Sequence, residues 1–188
     1  MPTPLAPFSD VFVLSPARYT DDRGWFSVTW SDAGFRKETG LDVEFVQDNM
    51  SLSSKAGTVR GLHYQREPFA QGKLVRCSRG RLFDVIVDMR AGSPTEGRWA
   101  GIELTRDNGR QLWVPRGYAH GFVALEDNTE IAYKVDGPYA PDHEGTILWN
   151  DPDIAVEWPF DTATASLKDV DRNAPRLKDA NHGFVWKG

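Results

Sequence analysis

Short runs of strand-forming residues, separated by turn pairs, recur along most of this chain and constrain its fold more than any other feature. In the clearest run, residues 82–88, Phe83, Val85 and Val87 alternate with Asp84, Ile86 and Asp88, which is the period of two typical of a β-strand. Similar runs occur at residues 11–14, 25–30, 43–47, 58–65, 73–78, 101–104, 111–114, 121–125, 130–135 and 146–149. Many short strands without alternating helices predict an all-β fold, and a jelly-roll barrel is the usual arrangement at this length.

The sequence predicts a short helix and one domain. Ser31 or Asp32 is a suitable N-cap for a helix that Gly40 ends. The segment 159–188 is polar and poor in strand formers, so we expect it to wrap around the body of the protein. Because no linker or repeat interrupts the chain, we expect a single domain over residues 1–188.

Composition excludes several classes of protein. Lys plus Arg is 22 against 27 for Asp plus Glu, a formal net charge of -5, so we expect no nucleic-acid partner. Charged residues interrupt every apolar stretch well before the roughly 18 residues that a membrane helix needs, and we identify no secretory signal. Cys77 is the only cysteine, which is typical of a reducing compartment. We therefore expect a cytoplasmic protein with no membrane partner.

Two motifs contain the histidines His63 and His120. Gly57 precedes His63-Tyr64-Gln65 by five residues, and Gly109 precedes Pro115-Arg116-Gly117-Tyr118-Ala119-His120 by the same spacing. These motifs resemble those of the cupin superfamily, whose small jelly-roll barrels usually hold a metal on His-x-His, a Glu and a later His. Gln65 replaces the second His, and Glu67 comes too early for the usual Glu. Since a stable site needs three or more ligands, we predict a barrel without metal. The alternative is that both histidines are core residues with satisfied hydrogen bonds.

Polar residues follow the predicted strands between residues 45 and 76 at mostly even separations, so several are expected to face one interior. They are Gln47, Asn49, Arg60, His63, Gln65 and Lys73. Buried cations and amides need partners, which predicts an anionic polar ligand. The alternative is a charged outer face of the barrel.

Many short segments together resemble the dTDP-4-dehydrorhamnose 3,5-epimerase family, over about residues 8–177. They read QDNMS, RGLHYQ, QGKLVR, DVIVDMR, SPTEG, QLWVP, GYAHGF, ILWND, EWP and LKD. The resemblance implies inversion, without a cofactor, of carbons 3 and 5 of a dTDP-4-keto-6-deoxyhexose in dTDP-L-rhamnose biosynthesis. Two alternatives stay open: a 3- or 5-epimerase of another deoxysugar pathway, and a cupin that binds a nucleotide sugar without catalysis.

The resemblance also implies catalytic roles. Inversion beside a ketone needs a base on one face, an acid on the other and a cation for the enolate oxygen. His63 is the implied base, with its ring oriented by Asp169. Lys73 is the implied partner of the ketone oxygen, and Tyr133 the implied proton donor. Tyr139 is assigned to stacking, although either tyrosine could instead pack in the core.

The same resemblance implies a substrate site and a second copy of the chain. The substrate-binding positions are Arg23, Gln47, Asn49, Arg60, Lys73, His120, Tyr139, Glu144 and Lys168. Arginines and lysines suit a diphosphate. Val28 departs from the family pattern, which has an acidic residue there. We expect a homodimer in which residues 1–45 lie in the contact, residues 8–14 cross to the neighbouring barrel, and Arg23 serves the partner's site.

Overall fold

The computed structural model describes residues 2–188, which leaves Met1 outside the described part. Its strands are β1 (Thr3–Pro4), β2 (Phe12–Leu14), β3 (Tyr19–Asp21), β4 (Gly24–Phe26), β5 (Gln47–Ser53), β6 (Val59–Gln65), β7 (Lys73–Arg79), β8 (Arg81–Asp88), β9 (Trp99–Thr105), β10 (Gln111–Val114), β11 (Tyr118–Ala124), β12 (Thr129–Val135) and β13 (Glu144–Thr146). The α-helices are α1 (Asp32–Thr39) and α2 (Asp169–Arg172). Single 3-10 turns lie at Pro141–His143, Thr162–Thr164 and Leu177–Asp179.

Two antiparallel sheets form the body of the protein. One has the strand order β1-β2-β10-β7-β12-β5 and the other β13-β6-β11-β8-β9, while β3 and β4 form a separate hairpin. Val75 and Leu112 from the first sheet pack in one buried cluster with Leu82 and Ile86 from the second, so the sheets face each other. This architecture confirms the predicted all-β jelly roll with a few short helices.

Strand β8 shows how alternation divides the interior. Leu82 and Ile86 point between the sheets, whereas Val85 and Val87 belong to a second cluster on the opposite face of the five-stranded sheet. Residues of the C-terminal segment, including Phe184, cover that second face. Both faces of β8 are therefore buried. Asp84, which shares the inward face with Leu82 and Ile86, lies inside the barrel.

Helix α1 confirms the predicted caps. The Ser31 side chain accepts a hydrogen bond from the Gly34 amide at 3.2 Å, and Gly40 ends the helix at φ 73°. Phe35 is buried against Trp113 of β10 and attaches the helix to the six-stranded sheet. Within residues 2–188, no helix is long and apolar enough to cross a bilayer.

Some predicted strands have the wrong bounds. The run at 43–47 was expected to be a strand, but residues 43–46 are irregular and β5 begins at Gln47. β5 is rich in Asp, Asn and Ser, which are poor strand formers, and it is a strand because it pairs with β12 along its whole length. The strand expected at 25–30 is confined to β4, and the one expected at 146–149 is represented by β13.

The N-terminal segment contributes a strand to its own barrel, since β2 pairs with β10 of the same chain. The expected crossing of residues 8–14 to a neighbouring barrel concerns a second copy of the chain and stays a prediction. Phe8 and Val11 are 3% and 0% exposed in the cluster between the sheets. Burial stabilises this arrangement by roughly 1.5–3 kcal/mol for each large apolar side chain.

Candidate active site

A cavity of about 480 Å³ opens between the two sheets, above the apolar cluster. An adjoining chamber of about 290 Å³ shares four of its lining residues, which are His63, Lys73, Tyr133 and Glu144. The larger cavity also contains the predicted residues Arg60, His120 and Lys168, and the chamber contains Gln47, Asn49 and Tyr139. Most of the residues predicted from separate strands thus meet in one continuous space.

Strand alternation brings these side chains together. His63 on β6 lies directly opposite His120 on β11, and Tyr133 on β12 lies opposite Asn49 on β5. Residues directly opposite in an antiparallel pair share one face of the sheet, so each pair points the same way. Lys73 begins β7, two residues before the inward-facing Val75. The even spacing seen in the sequence therefore lines a barrel interior rather than a charged outer face.

His63 is hydrogen-bonded to a buried carboxylate. The distance from His63 Nε2 to Asp171 Oδ1 is 2.6 Å, and the Asp171 side chain is only 2% exposed. The Gly61 amide donates to the other Asp171 oxygen at 3.4 Å. The carboxylate fixes the ring and directs the other ring nitrogen away from itself, so that this nitrogen is the basic one.

The prediction that Asp169 orients His63 is wrong. Asp169 is exposed at the start of α2, and Asp171 lies two residues further along the same short helix. Two residues turn a helix by about 200°, so these side chains point in nearly opposite directions. The sequence contains both acidic residues, but only the docking of α2 on β6 determines which one faces the barrel.

A second histidine–carboxylate pair went unpredicted. His120 Nε2 lies 2.8 Å from Asp84 Oδ1, and Asp84 is fully buried. Within residues 2–188, Asp84 Oδ2 has no hydrogen-bond partner. The available signal was the position of Asp84 between Leu82 and Ile86 on a strand with two apolar faces. Such an acidic residue must face the interior and therefore needs a positively charged or donor neighbour.

Lys73 lies enclosed in the same cavity. Burial lowers the pKa of its ammonium to about 8, although the negative charges of Asp84 and Glu144 oppose that shift. Near neutral pH the group is therefore still mostly protonated, but it is held in surroundings of low dielectric constant. A buried cation of this kind stabilises a developing negative charge more strongly than one in water.

Tyr133 keeps its proton. Burial raises the pKa of its phenol, Arg60 lowers it and Glu144 raises it again, for a net increase. Arg60 itself is held by β5, since its guanidinium donates to the Leu52 carbonyl at 2.9 Å and to the Ser53 hydroxyl at 3.2 Å. The phenol is thus neutral at physiological pH and available as an acid.

Tyr139 lies at the edge of the chamber. Tyr139 is 56% exposed, and its hydroxyl donates to Glu144 Oε2 at 3.1 Å. That hydrogen bond raises the pKa of Tyr139. On the other side of the chamber the Gln47 amide donates to Asn49 Oδ1 at 2.6 Å. An exposed ring that lines a chamber is suited to stacking on a planar ligand group.

Arg23 is the predicted substrate-binding residue that the structure does not bring to the cavity of its own chain, just as Asp169 is the predicted catalytic residue that lies outside it. It lies in the turn between β3 and β4, 89% exposed, and pairs with Asp21 at 2.6 Å. Neighbouring side chains of this hairpin are also exposed, including Tyr19 at 67% and Phe26 at 65%.

The positions of cupin metal ligands have other partners here. The Nε2 atoms of His63 and His120 are bonded to Asp171 and Asp84, and the Gln65 amide is bonded to backbone groups. In the part of the chain that the structure describes, no group of three or more His, Cys, Asp or Glu side chains is arranged to hold a metal. The absence of a metal from the working protein stays a prediction.

Comparison with known proteins identifies the family. The profile of the family described as dTDP-4-dehydrorhamnose 3,5-epimerase matches residues 6–179. The enzyme of that name from Sinorhizobium fredii is 52% identical over 178 residues, which is 95% of this chain and 90% of the relative. The crystal structure of that enzyme from Elizabethkingia anophelis superposes with a TM-score of 0.90 at 41% identity, covering 96% of this chain and 98% of the other. A Legionella pneumophila dTDP-6-deoxy-D-glucose-3,5-epimerase, in complex with dTDP-4-keto-L-rhamnose, has a TM-score of 0.92 at 38% identity, covering 98% and 97%.

Proposed function

The chain belongs to the dTDP-4-dehydrorhamnose 3,5-epimerase family, and from that premise we propose how this isomerase uses its own residues. It converts dTDP-4-dehydro-6-deoxy-D-glucose to dTDP-4-dehydro-L-rhamnose by inverting carbons 3 and 5, the step that serves dTDP-L-rhamnose biosynthesis. The observation that carries the proposed roles is the His63–Asp171 pair, at 2.6 Å, in a cavity that Lys73 and Tyr133 also line. The chemistry of the side chains accounts for the reaction without a cofactor.

The first step removes a proton. Both carbons 3 and 5 flank the ketone at carbon 4, so a C–H bond on either one is acidified by it. Neutral His63 takes the proton on its free ring nitrogen, and the bonding electrons move to the ketone oxygen to form an enolate. Asp171, buried and negative, stabilises the imidazolium that results. Lys73 donates a hydrogen bond to the oxygen and offsets its negative charge.

The second step returns a proton to the opposite face. Tyr133 gives its phenolic proton to the carbon, the electrons return to the carbonyl, and the configuration at that carbon is inverted. Solvent then reprotonates the phenolate and takes the proton from His63, so the enzyme ends in its starting state. The same cycle at the other carbon completes the double inversion.

Other lining residues hold the nucleotide portion of the substrate. We assign the diphosphate to Arg60 and Lys168, two cations that line the cavity, with His120 and Glu144 on the sugar side. Gln47 and Asn49 face the nucleotide within the chamber, where Tyr139 stacks on the base.

We propose that the working unit is a homodimer, with residues 1–188 as one epimerase domain in each copy. The β3–β4 hairpin supports this, because its exposed aromatic residues and Arg23 have no place in the cavity of their own chain. In the dimer, this hairpin brings Arg23 to the partner's cavity. The segment 159–188 wraps its own barrel. The lone, buried Cys77 supports a cytoplasmic location.

NMR of the protein with dTDP-4-keto-6-deoxyglucose in deuterium oxide tests the proposed reaction. The proposal expects solvent deuterium at both carbons and conversion to the inverted sugar. Deuterium at one carbon only would identify a monofunctional epimerase. No incorporation, with the nucleotide sugar still bound, would identify a protein that binds without catalysis.

A further inference from the structure

The Gln65 side chain holds the two residues on either side of Tyr139. Its amide nitrogen donates to the Pro138 carbonyl at 3.1 Å and to the Phe69 carbonyl at 2.7 Å. Its amide oxygen accepts from the Ala140 backbone N–H at 2.9 Å. Only one orientation of the amide satisfies all three partners, so the hydrogen bonds themselves determine which end is which.

These hydrogen bonds are made by a buried side chain. Gln65 is 6% exposed and lies opposite Glu144 in the pairing of β6 with β13. A buried amide that loses its partners costs free energy, as do the backbone groups left behind. Pro138 has no N–H of its own, so its carbonyl is the group through which a side chain can hold it. Gln65 thus fixes the backbone before and after Tyr139.

The position of Tyr139 depends on these hydrogen bonds to its neighbours more than the position of a core tyrosine would. The residue is 56% exposed, so packing does little to set the position of its ring. What restrains it is the bond from its hydroxyl to Glu144 and the backbone from which it projects. The neighbouring Gln71 holds Gly137 at 2.8 Å, one residue further from the ring.

We propose that Gln65 is a positioning residue for recognition of the nucleotide base, acting through Tyr139. This inference rests on the proposed function, in which Tyr139 stacks on the base of the dTDP-sugar. The Gln65 amide pre-organises the loop 138–140, so the Tyr139 ring is already ordered before the ligand binds. The entropy cost of ordering the ring is then not incurred on binding, which raises the affinity for the ligand. Gln65 occupies the position at which metal-holding cupins have a histidine, and in this chain it serves ligand recognition instead.

A double-mutant cycle on dTDP affinity tests the inference, with Gln65→Met introduced alone and together with Tyr139→Ala. Tyr139→Ala alone should weaken dTDP binding by roughly fivefold or more, since stacking of a base on an aromatic ring has that magnitude. Gln65→Met alone should weaken it by about three- to tenfold, but by less than about twofold when Tyr139 is already Ala. In turnover, Gln65→Met should raise KM and leave kcat at saturating substrate within about twofold.

Asn108→Leu is the control for loss of an amide that holds a turn away from the site. The Asn108 amide makes three similar bonds to the backbone of a turn between β9 and β10, to Thr105, Arg110 and Glu103, at 3.0–3.1 Å. It is outside both cavity linings, and dTDP affinity should be unchanged. Should Gln65→Met not fold, Gln65→Glu keeps the shape and the acceptor but removes the donors, and comparison in the two Tyr139 backgrounds cancels the effect of its charge.

The outcomes separate the inference from the proposed function. If Tyr139→Ala binds dTDP as tightly as the unsubstituted protein, the stacking role is wrong. Tyr139→Ala could weaken dTDP binding while the Gln65 variant weakens it by the same factor in both backgrounds. In that case the stacking role of Tyr139 is retained and the positioning role of Gln65 is wrong. A loss of kcat without a rise in KM would also contradict positioning.

Discussion

His63 and His120 lie directly opposite each other on β6 and β11, and each is bonded through Nε2 to a buried carboxylate. The two pairs differ in access to the cavity, because the His63 side chain is 34% exposed and that of His120 is 8% exposed. A base must reach the carbon from which it takes a proton. The difference supports the proposal that His63 takes the proton and that His120 only hydrogen-bonds the sugar.

Replacing the base should remove turnover and spare binding. His63→Ala should lower kcat by about 100- to 10,000-fold, the usual contribution of a general base. The dTDP dissociation constant should change little, because the diphosphate and base contacts come from other residues. Steady-state kinetics and calorimetry measure the two quantities. Deuterium exchange at carbon 5 that stays near the rate of the unsubstituted protein would show that another residue is the base.

The two aspartates of α2 provide a matched pair. Asp171→Asn removes the charge that stabilises the imidazolium, so kcat should fall by at least about tenfold. Asp169→Asn, two residues away and exposed, should retain nearly full activity. Comparison of kcat for the two variants decides between these residues. Equal losses, or a larger loss for Asp169→Asn, would return the role to Asp169.

The buried cation predicts a pH dependence. Lys73 acts while protonated, and its pKa is lowered to about 8, so kcat/KM should fall as pH rises through about 8. The raised pKa of Tyr133 keeps its proton above that range. Asp84→Asn removes a negative charge that favours the ammonium, so the midpoint should move to lower pH, whereas Asp169→Asn should leave it in place. A midpoint that stays fixed or rises in Asp84→Asn would contradict this account of Lys73.

Removal of metal should have no effect. We expect elemental analysis of the purified protein to find far less than one Zn, Fe or Mn per chain, and activity to survive EDTA treatment and dialysis. A stoichiometric metal whose removal abolishes activity would instead favour a metal-dependent cupin.

The alternation of residues in the sequence predicts which side chains a strand directs to one face. Alternation placed Asn49, His63 and Lys73 in one interior because a β-strand directs every second side chain to the same face. Tyr133 came from the family resemblance. Alternation failed where long-range contacts decide. β5 is polar and forms a strand by pairing with β12.

The carboxylates mark the limit of sequence reasoning at the site. Asp169 and Asp171 share one short helix, and the side that meets β6 depends on how the C-terminal segment docks. Asp84 went unassigned because an acidic residue in an alternating run is expected at the surface, whereas β8 is buried on both faces. The two-sided apolar character of that strand was the signal available in the sequence.

The central claim is that His63 and Tyr133 act on opposite faces of the sugar, and proton exchange in Tyr133→Phe tests it most directly. The variant keeps the ring and loses the phenol, so proton abstraction should continue while delivery to the far face fails. By NMR in deuterium oxide, exchange with retained configuration should then outrun formation of inverted product, because His63 returns solvent deuterium to the original face. Tyr139→Phe should keep exchange and inversion coupled. If Tyr139→Phe uncouples them while Tyr133→Phe behaves like the unsubstituted protein, the account is contradicted and the two tyrosines exchange roles.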